Sequence, residues 1–233
     1  MIVSDILYAK IIWDENETPI SVDFSDVYYS RIDGRSETRY IFLSGNKLPN
    51  RWYNGIEFVI AELGFGTGLN FLETIAHWQT FSSGGKLNYV AFEKFPMSKV
   101  DLKRALKPWN ELSEHASKLI DFWPPNTGWS KYELDGSVTL HLAIGDAKAM
   151  LEAWNADVDA WYLDGFSPAK NPDLWEADLI EAMVNRTTPG GTFATFTAAG
   201  WVRRNLKAAG FKVEKIPGFG RKRECLRGDL IIK

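Results

Sequence analysis

One short segment, residues 59–70 (VIAELGFGTGLN), most constrains what this 233-residue chain can fold into. An apolar run ends near the acidic residue Glu62, and glycines follow at alternate positions before an apolar helical pattern begins. Gly64, Gly66 and Gly68 permit positive φ angles and let a ligand approach the backbone closely. We predict a strand, a tight turn beside a nucleotide, and a helix whose free N–H groups point at that ligand.

The spacing of the glycines narrows the ligand class. A dinucleotide-binding turn has the pattern G-x-G-x-x-G, and a diphosphate rests on the helix that follows it. Here the third glycine comes one residue early. A G-x-G-x-G turn after an acidic strand end is the pattern used for S-adenosylmethionine (SAM), whose ammonium group suits a carboxylate such as Glu62. Taken alone, the turn fits a purely structural role equally well.

From residue 58 onward, short β-rich runs alternate with helical patterns, which is typical of a mostly parallel sheet covered by helices. We predict strands near residues 58–63, 87–92, 138–144, 160–163, 192–197, 212–216 and 225–232, and helices at 69–81, 98–106, 147–154, 172–184 and 201–209. Asn171 and Pro172 are the predicted N-cap and first residue of the fourth helix. The last two strands are joined by a loop too short for a crossover helix, so they should pair antiparallel. The predicted fold is therefore α/β, a Rossmann-like class I SAM-dependent methyltransferase with a seven-stranded, mostly parallel sheet and an antiparallel last strand.

Two regions lie outside this alternation. Residues 1–57 are predicted to form an N-terminal β-rich extension that includes the run 40–43 and packs on the core. Residues 58–233 would form the SAM-dependent methyltransferase domain, with a Trp- and Pro-rich insertion at about 107–136.

Composition excludes several function classes. A single cysteine, Cys225, rules out an internal disulfide, and three scattered histidines give no metal-ligand spacing, so no metal is predicted. The chain has no apolar run long enough to cross a bilayer and no signal-peptide pattern, which predicts a cytoplasmic protein without a membrane partner. A net charge of −3 argues against a globally basic nucleic-acid binder but allows a local basic face.

Acidic residues follow four predicted strands in turn. Because ligands of doubly wound sheets bind beyond the carboxyl ends of the strands, Glu62, Glu93, Asp146 and Asp164 should converge. Glu93 is placed to accept ribose hydroxyls, and Asp146 to accept the adenine amino group. The alternative for Glu93 and Asp146 is a helix N-cap or a first-turn acid. All four together favour a ligand site.

Asp164 stands where amino-directed methyltransferases hold the target nitrogen. The methyl donor is already activated as a sulfonium, so the enzyme mainly has to align the reacting atoms. An alkyl amine has a pKa of roughly 10, and freeing its lone pair at neutral pH costs about 4 kcal/mol. An ordinary carboxylate is a poor base for that step. We therefore predict that Asp164 orients the nitrogen, and that it accepts a proton only if burial or Phe166 raises its pKa.

Seven stretches resemble the methyltransferase part of the MnmC family, bifunctional enzymes of tRNA 5-methylaminomethyl-2-thiouridine biosynthesis. They are residues 23–30 (DFSDVYYS), 37–43 (ETRYIFL), 62–71 (ELGFGTGLNF), 92–96 (FEKFP), 158–175 (VDAWYLDGFSPAKNPDLW), 189–197 (PGGTFATFT) and 218–224 (GFGRKRE). The resemblance implies methyl transfer from SAM to the primary amine of 5-aminomethyl-(2-thio)uridine at the tRNA wobble position, with Asp164 at the amine. The candidate cofactor-binding residues are Glu62, Gly64, Gly66, Gly68, Asn70, Glu93, Lys94, Asp146 and Ala147.

If the substrate is RNA, the basic and aromatic residues that follow the later predicted strands are candidates for contacting it. The candidate contacts to the anticodon stem-loop of tRNA are Phe166, Lys170, Asn171, Trp175, Arg203, Arg221, Lys222 and Arg223. Cations there would bind phosphates, and Phe166 or Trp175 would stack on the extruded base.

Bifunctional members of this family continue into an FAD-dependent oxidase, whereas this chain stops at Lys233. Either a separate FAD-dependent oxidase or another enzyme supplies the aminomethyl group, or the chain is an isolated domain. Two other functions fit the residues: a SAM-dependent N-methyltransferase for a small-molecule amine, and a catalytically silent module that binds SAM or RNA.

Overall fold

The computed structural model describes residues 6–52 and 57–231, and its strands form one small and one large sheet. Along this part of the chain the strands are β1 (Ile11–Trp13), β2 (Pro19–Ser21), β3 (Asp26–Val27), β4 (Glu57–Leu63), β5 (Lys86–Glu93), β6 (Gly128–Glu133), β7 (Val138–Ile144), β8 (Val158–Leu163), β9 (Thr187–Thr195), β10 (Phe211–Pro217) and β11 (Glu224–Leu230). The helices are α1 (Gly34–Glu37), α2 (Leu69–Phe81), α3 (Lys99–Leu106), α4 (Ser113–Phe122), α5 (Ala147–Glu152), α6 (Ala177–Asn185) and α7 (Gly200–Ala208).

The large sheet has the order β10-β11-β9-β8-β4-β5-β7-β6 within the described residues. The five central strands β9, β8, β4, β5 and β7 run parallel. Strand β11 is antiparallel to both β9 and β10, so the predicted α/β class with an antiparallel last strand is confirmed. The chain passes from β4 to β5 and β7 on one side and to β8 and β9 on the other. The point where strand order reverses therefore lies at β4, which is where such sheets bind their ligands.

Helices cover both faces of this sheet, because parallel strands bury both of their faces. The core on one face contains apolar side chains of α2, α3 and α4, and the core on the other contains those of α5, α6 and α7. The predicted helix 69–81 and the predicted strand 138–144 are confirmed with the same bounds. No helix in the described ranges is both long and apolar enough to cross a bilayer.

The N-terminal extension is less β-rich than the sequence predicts. Strands β1, β2 and β3 form a small antiparallel sheet, but residues 40–43 lie in a π-helical segment, Thr38–Ser44. Asp33 starts the preceding helix α1 by accepting a bond from the N–H of Ser36. Ile41, Phe42 and Leu43 are then buried, and Phe42 stacks on Tyr162 of the sheet. The domain boundary at residue 57 stays a prediction.

The Trp- and Pro-rich insertion contains regular structure that the sequence analysis missed. Helix α4 lies within it, and strand β6 pairs antiparallel with β7, which gives the sheet eight strands rather than the predicted seven. Trp129 packs on Phe92 and Trp154, whereas Lys131 and Glu133 on the same strand are exposed. Charged residues on an exposed edge strand are common, since they discourage pairing with another chain.

The predicted helix 172–184 is wrong as a single element. Residues Pro172–Trp175 form a 3₁₀ turn, Glu176 is extended, and α6 begins afterwards. Asn171 is the N-cap of this turn and Pro172 its first residue, as predicted, but the Asn171 side chain makes no capping bond. The break arises because the buried Trp175 donates its indole N–H to the carbonyl oxygen of Phe166 (3.2 Å), which ties the turn to the loop after β8.

Candidate active site

A cavity of about 1090 Å³ opens at the carboxyl ends of β4, β5, β7 and β8. Twelve of the residues predicted for the site line it: Gly64, Gly66, Asn70, Glu93, Lys94, Asp146, Ala147, Asp164, Phe166, Asn171, Arg221 and Lys222. Glu62, Gly68, Lys170, Trp175, Arg203 and Arg223 do not. Glu93, Asp146 and Asp164 therefore line one cavity, as the strand ends predicted, whereas Glu62 lies close to Asp164 but does not line the cavity.

The glycine turn places the β4–α2 backbone against the loop that carries Asp164. Gly64 has φ of 81°, and a Cβ atom there would lie 2.8 Å from Cα of Gly165. Gly66 has φ of 53°, and a Cβ atom there would lie 3.2 Å from the ring of Tyr28. Both positions need glycine for the conformation and for the close approach.

The N–H groups of this turn are bonded within the protein. Those of Gly64 and Phe65 donate to the carbonyl oxygen of Phe92 (2.9 and 3.2 Å), and that of Gly66 donates to Oε2 of Glu93 (2.9 Å). A diphosphate would need these donors free. Carboxylates also outnumber cationic side chains around the cavity. The donor set therefore fits a ligand that carries positive charge, such as the sulfonium and ammonium groups of SAM, better than a dinucleotide.

Glu93 and Asp146 face the cavity in different ways. Oε1 of Glu93 accepts a bond from the N–H of Phe95 (2.8 Å), and burial raises the pKa of this carboxyl despite its backbone donors. Asp146 is exposed and caps α5, accepting from the N–H of Ala149 (3.3 Å) with Oδ1, while Oδ2 lies 3.6 Å from Nζ of Lys94. The N-cap alternative for Asp146 is thus correct, and the residue lines the cavity as well.

Glu62 lies beneath the cavity rather than in its wall. It has no exposed surface, and its two oxygens accept bonds from Nδ2 of Asn70 (2.7 Å) and from the hydroxyl of Tyr89 (2.9 Å). Burial, and then the neighbouring Asp164, raises its pKa well above the usual range. The prediction that Glu62 faces the ligand ammonium directly is therefore wrong. Its observed contact is with Asn70.

Asn70 connects Glu62 to Asp164. Its side-chain amide donates to Oε1 of Glu62 and to Oδ2 of Asp164, both at 2.7 Å, and its Oδ1 accepts from the hydroxyl of Thr38 (2.6 Å). Both amide hydrogens and the amide oxygen are therefore engaged, which fixes the orientation of the Asp164 carboxyl.

The pKa of Asp164 is raised to about 7. Burial is the largest cause and the Glu37 carboxylate adds to it, whereas the N–H of Gly165, Asn70 and the Lys222 ammonium act in the opposite direction. The sequence analysis predicted that Asp164 accepts a proton only if its pKa is raised, for example by burial, and this condition is met. Glu37, whose carboxylate helps to raise the pKa of Asp164, was not among the predicted site residues.

Aromatic residues of the extension form one wall of the cavity. Phe24 stacks on Phe166 with ring centroids 4.7 Å apart, and Tyr28 meets the same ring edge-on at 5.0 Å. Trp175 is only 1% exposed, so the alternative that it stacks on a substrate base is wrong. Phe166 lines the cavity and stays the candidate for that contact.

The basic residues predicted for the rim divide into two groups. Arg221 and Lys222 line the cavity, whereas Lys170, Arg203 and Arg223 do not. The ammonium of Lys170 lies 3.3 Å from Oδ1 of Asp26, whose Oδ2 accepts from the N–H of Ser167. Lys170 therefore holds the extension against the loop after β8. Glu37, Thr38 and Tyr28 were missed because they lie outside the strand alternation; Glu37 and Thr38 begin the resembling stretch 37–43, and Tyr28 lies in the stretch 23–30.

Comparison with known proteins identifies the family. A family model described as S-adenosyl-L-methionine-dependent methyltransferase matches residues 110–231. The chain belongs to this methyltransferase family. The predicted cofactor, SAM, and the resemblance to the methyltransferase part of MnmC are confirmed.

Two curated relatives and one solved structure place this methyltransferase more closely. The tRNA 5-methylaminomethyl-2-thiouridine biosynthesis bifunctional protein MnmC of Pseudomonas savastanoi pv. phaseolicola is 46% identical over 96% of this chain and 35% of its own length. The protein of the same name from Aeromonas hydrophila is 46% identical over 95% of this chain and 35% of its own length. The chain thus spans about a third of the length of these relatives.

The crystal structure of MNMC2 from Aquifex aeolicus has a TM-score of 0.76 and 24% identity to this chain, covering 97% of it and 72% of that chain. This similarity shows a shared fold and confirms the predicted class I methyltransferase architecture.

Proposed function

We propose that this methyltransferase transfers a methyl group from SAM to the primary amine of 5-aminomethyl-(2-thio)uridine at the wobble position of tRNA, giving 5-methylaminomethyl-(2-thio)uridine. The similarity to MnmC proteins supports this choice of substrate, and the chemistry of Asp164 supports an amine as the acceptor. The chain would act in the cytoplasm. An FAD-dependent oxidase, or another enzyme, on a separate chain or in the rest of a longer one, would supply the aminomethyl group.

The residues that would hold SAM lie on the β4, β5 and β7 side of the cavity. Glu93 would accept the ribose hydroxyls, Asp146 the adenine amino group, and the turn Gly64–Gly68 would allow the close approach of the amino-acid tail. When bound, SAM supplies a methyl group activated as a sulfonium. Asn70 keeps the Asp164 carboxyl oriented on the opposite side of the turn.

The observation that carries the proposal is the raised pKa of Asp164 at the wall of this cavity. An alkyl ammonium has a pKa of roughly 10, so an ordinary aspartate would accept its proton at a cost of about 8 kcal/mol. With a pKa of about 7, the Asp164 carboxyl accepts that proton at about half this cost. The freed nitrogen lone pair then forms the new N–C bond, and the electrons of the broken C–S bond remain on sulfur. Asp164 thus both orients and deprotonates the amine.

The remaining cavity residues fit a nucleotide substrate. Phe166 offers a ring for an extruded base, and Arg221 lies at the rim, where RNA phosphates would pass. Asn171, at the same rim, can donate and accept bonds with a base or sugar.

The test is mass spectrometry of tRNA nucleosides after incubation with SAM and tRNA that carries the aminomethyl group. The wild-type chain should convert 5-aminomethyl- to 5-methylaminomethyl-uridine, and Asp164→Asn should reduce kcat/KM at least a hundredfold without changing the Kd of SAM. Asp173→Asn, an exposed carboxylate at the same cavity rim, is the matched control and should retain activity. Absence of methyl transfer by the wild-type chain would refute the proposal.

A further inference from the structure

The ammonium group of Lys222 lies between a carboxylate and an aromatic ring at the wall of the cavity. The Nζ atom of Lys222 is 3.2 Å from Oε1 of Glu37 and 4.0 Å from the ring centroid of Phe196. Glu37 ends α1, Phe196 follows β9 directly, and Lys222 lies in the loop before β11, so three distant parts of the chain meet here. All three residues line the same cavity as Asp164.

This arrangement has the features that recognise a primary ammonium group. An aromatic face attracts a cation electrostatically, and a carboxylate accepts its N–H bonds. The Glu37 side chain is only 14% exposed, and its second oxygen accepts a bond from the N–H of Ser30 (3.1 Å). The Glu37 carboxylate is therefore held in place whatever cation sits beside it. Lys222 in contrast is 45% exposed on a flexible stem.

Lys222 and an aminomethyl nucleoside present the same group, a methylene carbon bearing an ammonium. We propose that Glu37 and Phe196 form the binding subsite for the primary amine of the acceptor, beside Asp164, and that the Lys222 ammonium is an internal occupant which the acceptor displaces. This inference rests on the proposed function, because it takes a primary amine as the acceptor. Because the Lys222 side chain is 45% exposed, its ammonium can leave Glu37 and turn to solvent or to a phosphate.

The two carboxylates then have separate tasks. Glu37 holds the incoming group as an ammonium, and Asp164 takes its proton before methyl transfer. The charged and titratable groups that bear on Asp164 are Glu37, Lys222 and the buried pair Glu62 and Tyr89. Of these, Glu37 raises the pKa of Asp164, so its charge also keeps Asp164 a stronger base.

The first test removes the charge of Glu37. Glu37→Gln keeps the size of the side chain and its acceptor for the N–H of Ser30. We expect the KM for aminomethyl-bearing tRNA to rise at least tenfold while the Kd of SAM stays within twofold. The acidic limb of the kcat/KM profile should also move to lower pH, because loss of the Glu37 charge lowers the pKa of Asp164.

The matched control is Glu111→Gln, which removes an exposed carboxylate that pairs with Arg35 and does not line the cavity. Its KM and pH profile should match those of the wild type. If Glu37→Gln changes neither KM nor the acidic limb while the wild-type chain methylates tRNA, the subsite is refuted and the proposed function stands.

The second test needs neither RNA nor methyl transfer. Lys222→Met empties the subsite, and ethylammonium chloride serves as the probe, followed by NMR shifts of the Phe196 ring. We expect ethylammonium to bind Lys222→Met at a concentration at least tenfold lower than it needs for the wild type. Arg221→Met removes a neighbouring charge without opening the subsite and should leave the weak wild-type binding unchanged. Equal binding by all three proteins would overturn the inference, even if tRNA proves not to be the substrate.

Discussion

The buried carboxyl of Asp164 predicts an unusual dependence of stability on pH. Its pKa rises from an ordinary value of 3.8 to about 7 on folding, so between these values the folded state holds a proton that the unfolded state has released. Stability therefore falls as pH rises from about 4 to about 7, and it is constant above that range as far as this group is concerned. A shift of about three units corresponds to at most about 4 kcal/mol.

Asp164→Asn removes this cost, because the asparagine carbonyl can still accept the bond from Asn70. We expect the variant and the wild type to have similar free energies of unfolding at pH 4, and the variant to be more stable by up to about 4 kcal/mol at pH 8. Urea unfolding followed by tryptophan fluorescence at both pH values measures the two differences. Asp173→Asn is the exposed control and should change little at either pH. A difference for Asp164→Asn that does not widen between pH 4 and pH 8 would refute a pKa raised by burial.

Three further predictions concern other parts of the molecule. Glu73→Gln should lower the free energy of unfolding by about 3 kcal/mol in thermal or urea unfolding, because the fully buried Glu73 pairs with the guanidinium groups of both Arg35 (2.7 Å) and Arg39, and the change leaves Arg35 with only the exposed carboxylate of Glu111. Gly64→Ala should weaken SAM binding at least tenfold in calorimetry, since the new methyl group would lie within 3 Å of Gly165 and φ at this position is positive. Arg221→Ala should reduce the slope of log Kd for tRNA against log salt by about 1 and leave the affinity for SAM intact; an unchanged slope would make it a solvated surface residue.

The sequence predicted the sheet well because its strands are buried on both faces and therefore appear as short apolar runs. It also predicted that Glu93, Asp146 and Asp164 converge, since parallel strands bring their carboxyl ends to one edge. Glu62 lies close to Asp164 but does not reach the cavity, and the reason is physical. A strand position gives only the approximate depth of a side chain, and this carboxyl is directed under the turn to Asn70 and Tyr89.

The parts that the sequence did not predict depend on contacts between distant segments. Nothing in the local pattern of residues 40–43 distinguishes a strand from the π-helical segment that the structure shows, because both bury the same apolar side chains. The depth of Trp175 is set by its bond to Phe166, and the place of Glu37 is set by how α1 packs on α2. Such tertiary contacts override local preference and leave no periodic signal.

The extension changes what the sheet edge can do. Strand β4 and helix α2 alone would place two groups near Asp164: the carboxyl of Glu62 and the side-chain amide of Asn70. Residues before position 57 add the Thr38 hydroxyl that fixes the amide, the Glu37 carboxylate that raises the pKa of Asp164, and the Tyr28 ring over Gly66.

A methyl donor that is already activated requires little from its enzyme except an acceptor without its proton. In the proposed mechanism, the cost of removing that proton depends on the pKa of the Asp164 carboxyl. The extension therefore contributes to the chemistry of the site and not only to its shape. It follows that residues 58–231 alone would keep the glycine turn, Glu93 and Asp146, yet would lack Glu37, which raises the pKa of Asp164, and Thr38, which bonds Asn70.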